Sequence, residues 1–562
     1  MKKHYETHVE DTDKLISVAG PELDYKSWYE QYRKLMEEQA QRKYGLYTPT
    51  SEGDEDDFPS IPGMIARYSA SGLTNEEMSK NPVWVDKTGN GHDLQMKNFA
   101  WGGMSGAGGV STYYDKYEFT PDKYYMVAVS SGTQHAQFTF KVTGLVDGNT
   151  LSLADTSSPS NLYGKWTQDG IYTVDIDVIN TDKSIYFYNG VSAIRGTFTI
   201  EILPLYPGAL VFDGVDDYGV CDNFPILTKE KGYTVVALRQ WDQDFLNTTL
   251  TGGLLSTRNY STGEGVAFEK IESSNKGYWN LGAGGIIDFA KSPFTWQTSK
   301  QYNNVGILKG DKNHGKPLCV GCGLSGGQQC GRFAIWELVF LDHDATEEEL
   351  TKIKDYFVKT YPWLFPDQAW TVVGKTKEDE DRATIANITG NGNDLVLSNF
   401  GFAEGSGYNE EGEYAGYLVT DGVDDKIISS IFKMGNDWTV IGDWELINTG
   451  KNDNAGIVKF DSIVIYNYNS MLINIKNGRN ILIPDQNTVN AICSDGRIYS
   501  KDWKESIYNE ETESTSKNFL TIGYSGNAYT KIAFKNLAIY PTVLSREDCI
   551  KAYNYLQTLK AK

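Results

Sequence analysis

The sequence predicts a mainly β protein: one β domain present twice, a small β-sandwich inserted in the first copy, and a helical arm at the N-terminus. Three observations lead there. Two landmarks recur in the same order, VDKTGNGHDLQMKNF at 85–99 against ANITGNGNDLVLSNF at 386–400, then FDGVDDYGV at 212–220 against TDGVDDKII at 420–428. Matched landmarks in one order mean a duplicated domain, and repetition constrains the architecture before any single residue does. The TGNG landmark (88 against 389) is offset by 301 residues and DGVDD (213 against 421) by 208, so the first copy holds 93 extra residues between them. Finally, 56 glycines and 36 tyrosines favour turns and strands over helices.

The domains expected are an arm with an acidic linker at 1–57, a first sandwich formed by 58–109 plus 206–365, an insert at 110–205, and a second sandwich at 366–562. In the arm, residues 24–44 read as one amphipathic helix. Asp24 is a suitable N-cap, Gly45 a suitable C′ residue, and Tyr25, Trp28, Tyr29, Tyr32, Leu35 and Met36 follow helical spacing. That aromatic stripe is too large to bury against itself and is expected to anchor the chain to an assembly. The run EGDEDD at 52–57 reads as a solvated linker.

In the first copy, YTVVAL at 233–238 and FAIWELVFL at 333–341 read as strands. Thr346 with Glu349 makes a capping box before the helical stripe Leu350, Ile353 and Phe357. The second copy ends alike, with the strand FKNLAIY at 534–540, a cap from Ser545 and Asp548, and the stripe Ile550, Tyr553 and Leu556. The insert carries QFTFKV (137–142), YTVDIDVI (172–179), SIYFY (184–188) and GTFTIEIL (196–203), all strand-like, with Asp-Gly turns at 147–148 and 169–170.

An apolar fraction of 40% with 13% aromatics suffices for real cores. The net charge of −22, without clustered Lys and Arg, argues against nucleic acid. No apolar run approaches the ~18 residues of a membrane span, so membrane insertion is not expected. The start MKKHYETHVEDTDKL lacks the apolar core of a secretory leader. Six cysteines in 562 residues do not make a disulfide framework.

The series D-x-TGNG-x-DL…NF, FDGVDDY, then a late strand before a short capped helix resembles the LamG-like, concanavalin A-like jelly roll. The wording is similar to tandem copies in virion proteins of tailed phages of gut Bacteroidetes, the crAss-like phages among them. The resemblance covers about 60–365 and 366–560 and implies two antiparallel jelly-roll sandwiches, usually glycan- or protein-binding modules. It implies a non-enzymatic structural virion protein, a capsid- or tail-attached fibre or decoration subunit made in the host cytoplasm and exposed on the virion surface. Its partners would be other virion proteins through the arm, further copies of itself, and host surface glycans. The alternatives are a bacterial lectin-like carbohydrate-binding protein, which should carry a leader or lipobox, and a glycanase.

Glycanase chemistry needs a raised acid and a second carboxylate about 5 Å away for retention. The acidic strand around Asp175 and Asp177 lacks glutamate, and no GxSxG, HExxH or phosphate-binding loop occurs. Catalytic residues are therefore not expected, and no cofactor is required. The carboxylates of DGVDD either cap loop amides or bind a hard cation such as Ca²⁺, which makes Asp216, Asp217, Asp424 and Asp425 the metal candidates. Exposed rings beside polar loop residues would serve a glycan, and Trp166, Trp241, Tyr278 and Trp279 are the candidates, against a core-packing role for each. Cys319, Cys322 and Cys330 with His314 invite a zinc reading. Residues three apart on one strand face opposite ways, so the sulfurs converge only if Cys322 lies past the strand end in the following Gly-rich loop, and buried reduced thiols are expected instead.

Overall fold

The computed structural model describes residues 56–561 with interruptions, the longest at 301–317. The arm helix expected over 24–44, with Tyr25, Trp28, Tyr29, Tyr32, Leu35 and Met36, lies outside the described residues. From residue 60 onward the chain forms one compact unit. It is mainly β, built from antiparallel sheets stacked as sandwiches.

The two copies repeat each other in the central strands of both sheets. In the first, the long strand Arg332–Leu341 is flanked by Met64–Ser69 and Leu210–Asp213 on one side and Thr234–Trp241 on the other. In the second, Ile532–Tyr540 is flanked by Gln368–Thr371, Leu418–Val419 and Thr439–Leu446. The facing sheets match too. Leu94–Lys97 pairs with Tyr218–Cys221, which pairs with Leu318–Val320, and Leu395–Ser398, Lys426–Ser429 and Leu520–Ile522 repeat that series.

Each long strand carries a bulge at the same place. Leu238 faces Glu337 but Arg239 faces Ile335, leaving Trp336 unpaired, and likewise Asp443 faces Asn536 while Trp444 faces Phe534. An extra residue flips every later side chain to the other face. The core set accordingly runs Phe333, Ile335, then Leu338 and Phe340 in one copy, and Ile532, Phe534, then Leu537 and Ile539 in the other.

Alternation alone would leave the opposite face of these strands solvated, yet Phe333–Leu341 is buried throughout. That face is covered by Trp363 and Leu364 of the Pro362–Leu364 turn and by the second copy, whose Ala369, Ile441, Ala538, Tyr540 and Tyr555 join Ala334 and Trp336 in one shared core. Tyr555 stacks edge-on against Trp336 at 6.0 Å and donates its hydroxyl to Gln240 Oε1 at 3.0 Å. The two sandwiches are thus packed back to back through an apolar layer.

The helices form as their caps dictate. Thr346 and Glu349 make the reciprocal capping box of Glu347–Thr360, which buries Ile353, Tyr356 and Phe357. Ser545 accepts from the Asp548 N–H at the start of Arg546–Leu556. Between the landmarks of the first copy, strands from Ser105–Ala107 to Phe198–Leu203 make two five-stranded sheets around Phe119, Phe140, Leu153 and Phe187. Ile171 of this insert also reaches the shared core.

Candidate functional site

TGNG and DGVDD lie at opposite ends of one antiparallel strand pair, TGNG leading into Leu94–Lys97 and DGVDD into Tyr218–Cys221, and the second copy repeats this. Gly89 and Gly91, and Gly390 and Gly392, sit at positive φ between 73° and 79°, which only glycine adopts without strain. The Asp86 N–H donates to Asp93 Oδ1 at 2.8 Å, and Asn387 donates to Asp394 at the same distance. Asn90 and Asn391 tie the turn to the neighbouring Ile65 and Asp367 carbonyls, each at 2.8 Å. TGNG is a staple between strands.

DGVDD crosses from one sheet to the other, leaving Leu210–Asp213 and entering Tyr218–Cys221, or leaving Leu418–Val419 and entering Lys426–Ser429. Asp213 Oδ1 accepts from the Val215 and Asp216 N–H groups at 2.7 and 3.4 Å, and Asp421 Oδ1 from Val423 and Asp424 at 2.7 and 3.2 Å. Asp217 Oδ2 accepts from Asp213 N–H at 3.0 Å and Asp425 Oδ2 from Asp421 N–H at 2.8 Å. Asn98 donates to the Asp216 carbonyl and Asn399 to the Asp424 carbonyl, both at 2.9 Å. The Asn before Phe in the first landmark therefore holds the second landmark. The valine between the carboxylates is left outside, Val215 at 74% and Val423 at 70% exposure.

The turn role of the candidate carboxylates is visible in these bonds. The geometry also gathers charge. One carboxylate oxygen from each of Asp213, Asp216 and Asp217 lies within 4.8 Å of the others, and Asp421, Asp424 and Asp425 repeat the group. Burial first, with neighbouring aspartates adding, pushes Asp217 and Asp425 up to about 6, although the backbone N–H each accepts works the other way. Asp425 Oδ1 is buried without a hydrogen bond of normal geometry, the Ser406 hydroxyl being close enough to favour the anion. Carboxylate oxygens converging in this way suit a hard cation such as Ca²⁺. Asp216 lies with Asp217 in the first loop and Asp424 with Asp425 in the second, and Asp213 and Asp421 complete the two separate sets.

The aromatic candidates divide. Trp241 is core, 4% exposed and 5.2 Å from Phe333. Trp166 is half-buried and packs edge-on against Phe140 at 4.8 Å. Tyr278 and Trp279 lie on the strand Lys276–Trp279, and their side chains lie outside the described residues.

The cysteines are the buried, reduced thiols expected, but Cys319 and Cys322 do not face opposite ways. Gly321, at φ +97°, breaks the strand between Leu318–Val320 and Cys322–Leu324. The break turns Cys322 back toward Cys319, and both cluster with Cys330. His314 lies outside the described residues. The thiols are buried and unbridged.

The architecture is that of a tandem β-sandwich protein with a repeated acidic edge loop. No family model matches the chain, and no curated protein matches it. Among solved structures it is similar to the Trypanosoma rangeli sialidase in complex with sialic acid, at 7% identity and a TM-score of 0.26, over 80% of this chain and 83% of that one. It is also similar to the receptor binding domain of botulinum neurotoxin D, at 10% identity and a TM-score of 0.23, over 86% and 98%. The botulinum neurotoxin type G receptor binding domain follows at 12% and 0.21, over 34% and 50%. Scores this low carry no functional argument. Among the described residues no helix is long and apolar enough to cross a membrane.

Proposed function

We propose that this chain is a non-enzymatic structural subunit of a phage virion that displays two lectin-like sandwiches for adhesion to host surface glycans, with the N-terminal arm attaching it to the particle. The observation that supports this reading is the duplicated acidic loop. Two copies of one hydrogen-bonded frame, each with three clustered carboxylates and an exposed valine, stand on sandwiches that share a core. A scaffold that repeats a surface loop while fixing its spacing suits multivalent contact better than turnover. Ca²⁺ held by the carboxylates would present its remaining coordination positions to sugar hydroxyls.

The test is binding of the full chain to arrayed bacterial surface glycans with calcium and with chelator. Calcium-dependent binding that falls at least tenfold in the Asp216→Asn/Asp424→Asn variant supports the reading. Undiminished binding in that variant refutes the role of the loops, and release of reducing sugar would refute the non-enzymatic assignment.

A further inference from the structure

The first sandwich contains a thiol pair that the fold does not require. Cys322 and Cys330 are directly opposed on the antiparallel strands Cys322–Leu324 and Gln328–Cys330, with their sulfurs 3.1 Å apart. Directly opposed residues of an antiparallel pair have Cα atoms about 4.5–5.5 Å apart, inside the range of about 4.4–6.8 Å that a disulfide spans. The second copy builds the same hairpin from Tyr524–Ser525 and Ala528–Tyr529, where Tyr524 faces Tyr529. Counting from the shared Gly321 and Gly523, and from the long strands, the cysteine pair of one copy occupies the tyrosine pair of the other. The backbone hairpin is therefore built at this position without sulfur.

We propose that Cys322 and Cys330 are a modification site, closing to a cross-strand disulfide on exposure to a small-molecule disulfide. Cys330 is the attacking group. It is 5% exposed against 0% for Cys322, and it follows the exposed Gln328 and Gln329. The Cys322 thiol beside it favours its thiolate. The Cys330 thiolate attacks one sulfur of the reagent and expels the first thiolate, leaving a mixed disulfide. Cys322 then gives up its proton and displaces the second thiolate from Cys330. Two protein thiols lose two electrons and two protons, and the reagent disulfide becomes two thiols.

The bond would sit against the acidic loop. Cys322 Sγ donates to the Asp217 carbonyl at 3.8 Å, and that donor disappears on oxidation. Only the first of the two loops would sense the change. The inference is independent of the proposed function.

The test uses the folded full chain incubated with oxidised glutathione, then unfolded, alkylated and mapped by mass spectrometry. The expected result is loss of two of the six alkylatable thiols, with Cys322 and Cys330 in the linked peptides. Cys319→Ser should leave the cross-link intact. Cys322→Ser should trap glutathione on Cys330, and Cys330→Ser should stop both reactions. Retention of all six thiols, a Cys319–Cys322 bond, or loss confined to Cys493 and Cys549 would each overturn the proposal. The wild-type mapping stands even if one variant fails to fold.

Discussion

Replacing Asp425 by Asn tests whether the loop carboxylate is held at an electrostatic cost. The folded state raises this carboxyl from 3.8 to about 6. The folded chain then binds the proton more tightly than the unfolded chain, so stability falls as pH rises from about 4 through about 6 and levels off above. Two units at 1.36 kcal/mol each cap the penalty at about 3 kcal/mol. Asn keeps the acceptor for the Asp421 N–H and removes the charge. In chelator at pH 7.5, Asp425→Asn should therefore melt higher than wild type, by about 2–4 °C per kcal/mol for a sandwich of this size. The advantage should shrink toward pH 4.5. Asp425→Ala, which also orphans that N–H, should melt below Asp425→Asn by about 1–3 kcal/mol. Calcium should stabilise the wild type at pH 7.5 and not the Asn variant. An Asn variant less stable than wild type at pH 7.5 in chelator, or a difference unchanged across pH, would refute the reasoning.

Gly214→Ala and Gly422→Ala place a Cβ at positive φ, 2.8 Å from Arg332 Cβ and 3.0 Å from the Lys531 nitrogen, and each should cost about 1–3 kcal/mol in chemical denaturation. Arg67 is buried against Glu337 at 3.1 Å, with Tyr356 and Tyr361 completing the network; removing Arg67 alone should cost about 3–5 kcal/mol. The second copy has Ala369 and Asn536 at these positions, so Arg67→Ala with Glu337→Asn should recover much of that loss, and a double variant as unstable as the single would count against the pairing. Trp28→Ser with Tyr32→Ser should yield folded sandwiches that no longer join the particle or oligomer by light scattering; normal assembly would move the anchor onto a sandwich face.

The repeated strands, the two helix caps and the acidic loops were legible because local rules place them: turn glycines, a Thr or Ser three residues before an acid, alternating apolar runs. Non-local features were not. The bulge at Trp336 has no signal within Phe333–Leu341, since the flip appears only when the partner strand is counted. Burial of both strand faces was missed because the covering residues, Trp363 and Tyr555 among them, come from other parts of the chain. Burial of the reduced thiols was legible, but the convergence of Cys319 and Cys322 was not, because it turns on the positive φ of Gly321, which ends the strand before Cys322. Asn98 could have been found, since an Asn stands before the Phe in both landmarks, but its partner lies 118 residues away.

The shared core behind the two long strands makes the separation of the two loops a fixed length. Modules on a flexible tether raise the local concentration of any second site within reach, whereas a stiff pair rewards only sites at the matching distance. The protein would then act as a gauge: it would discriminate among surfaces by how far apart their epitopes stand, even where each epitope alone is common.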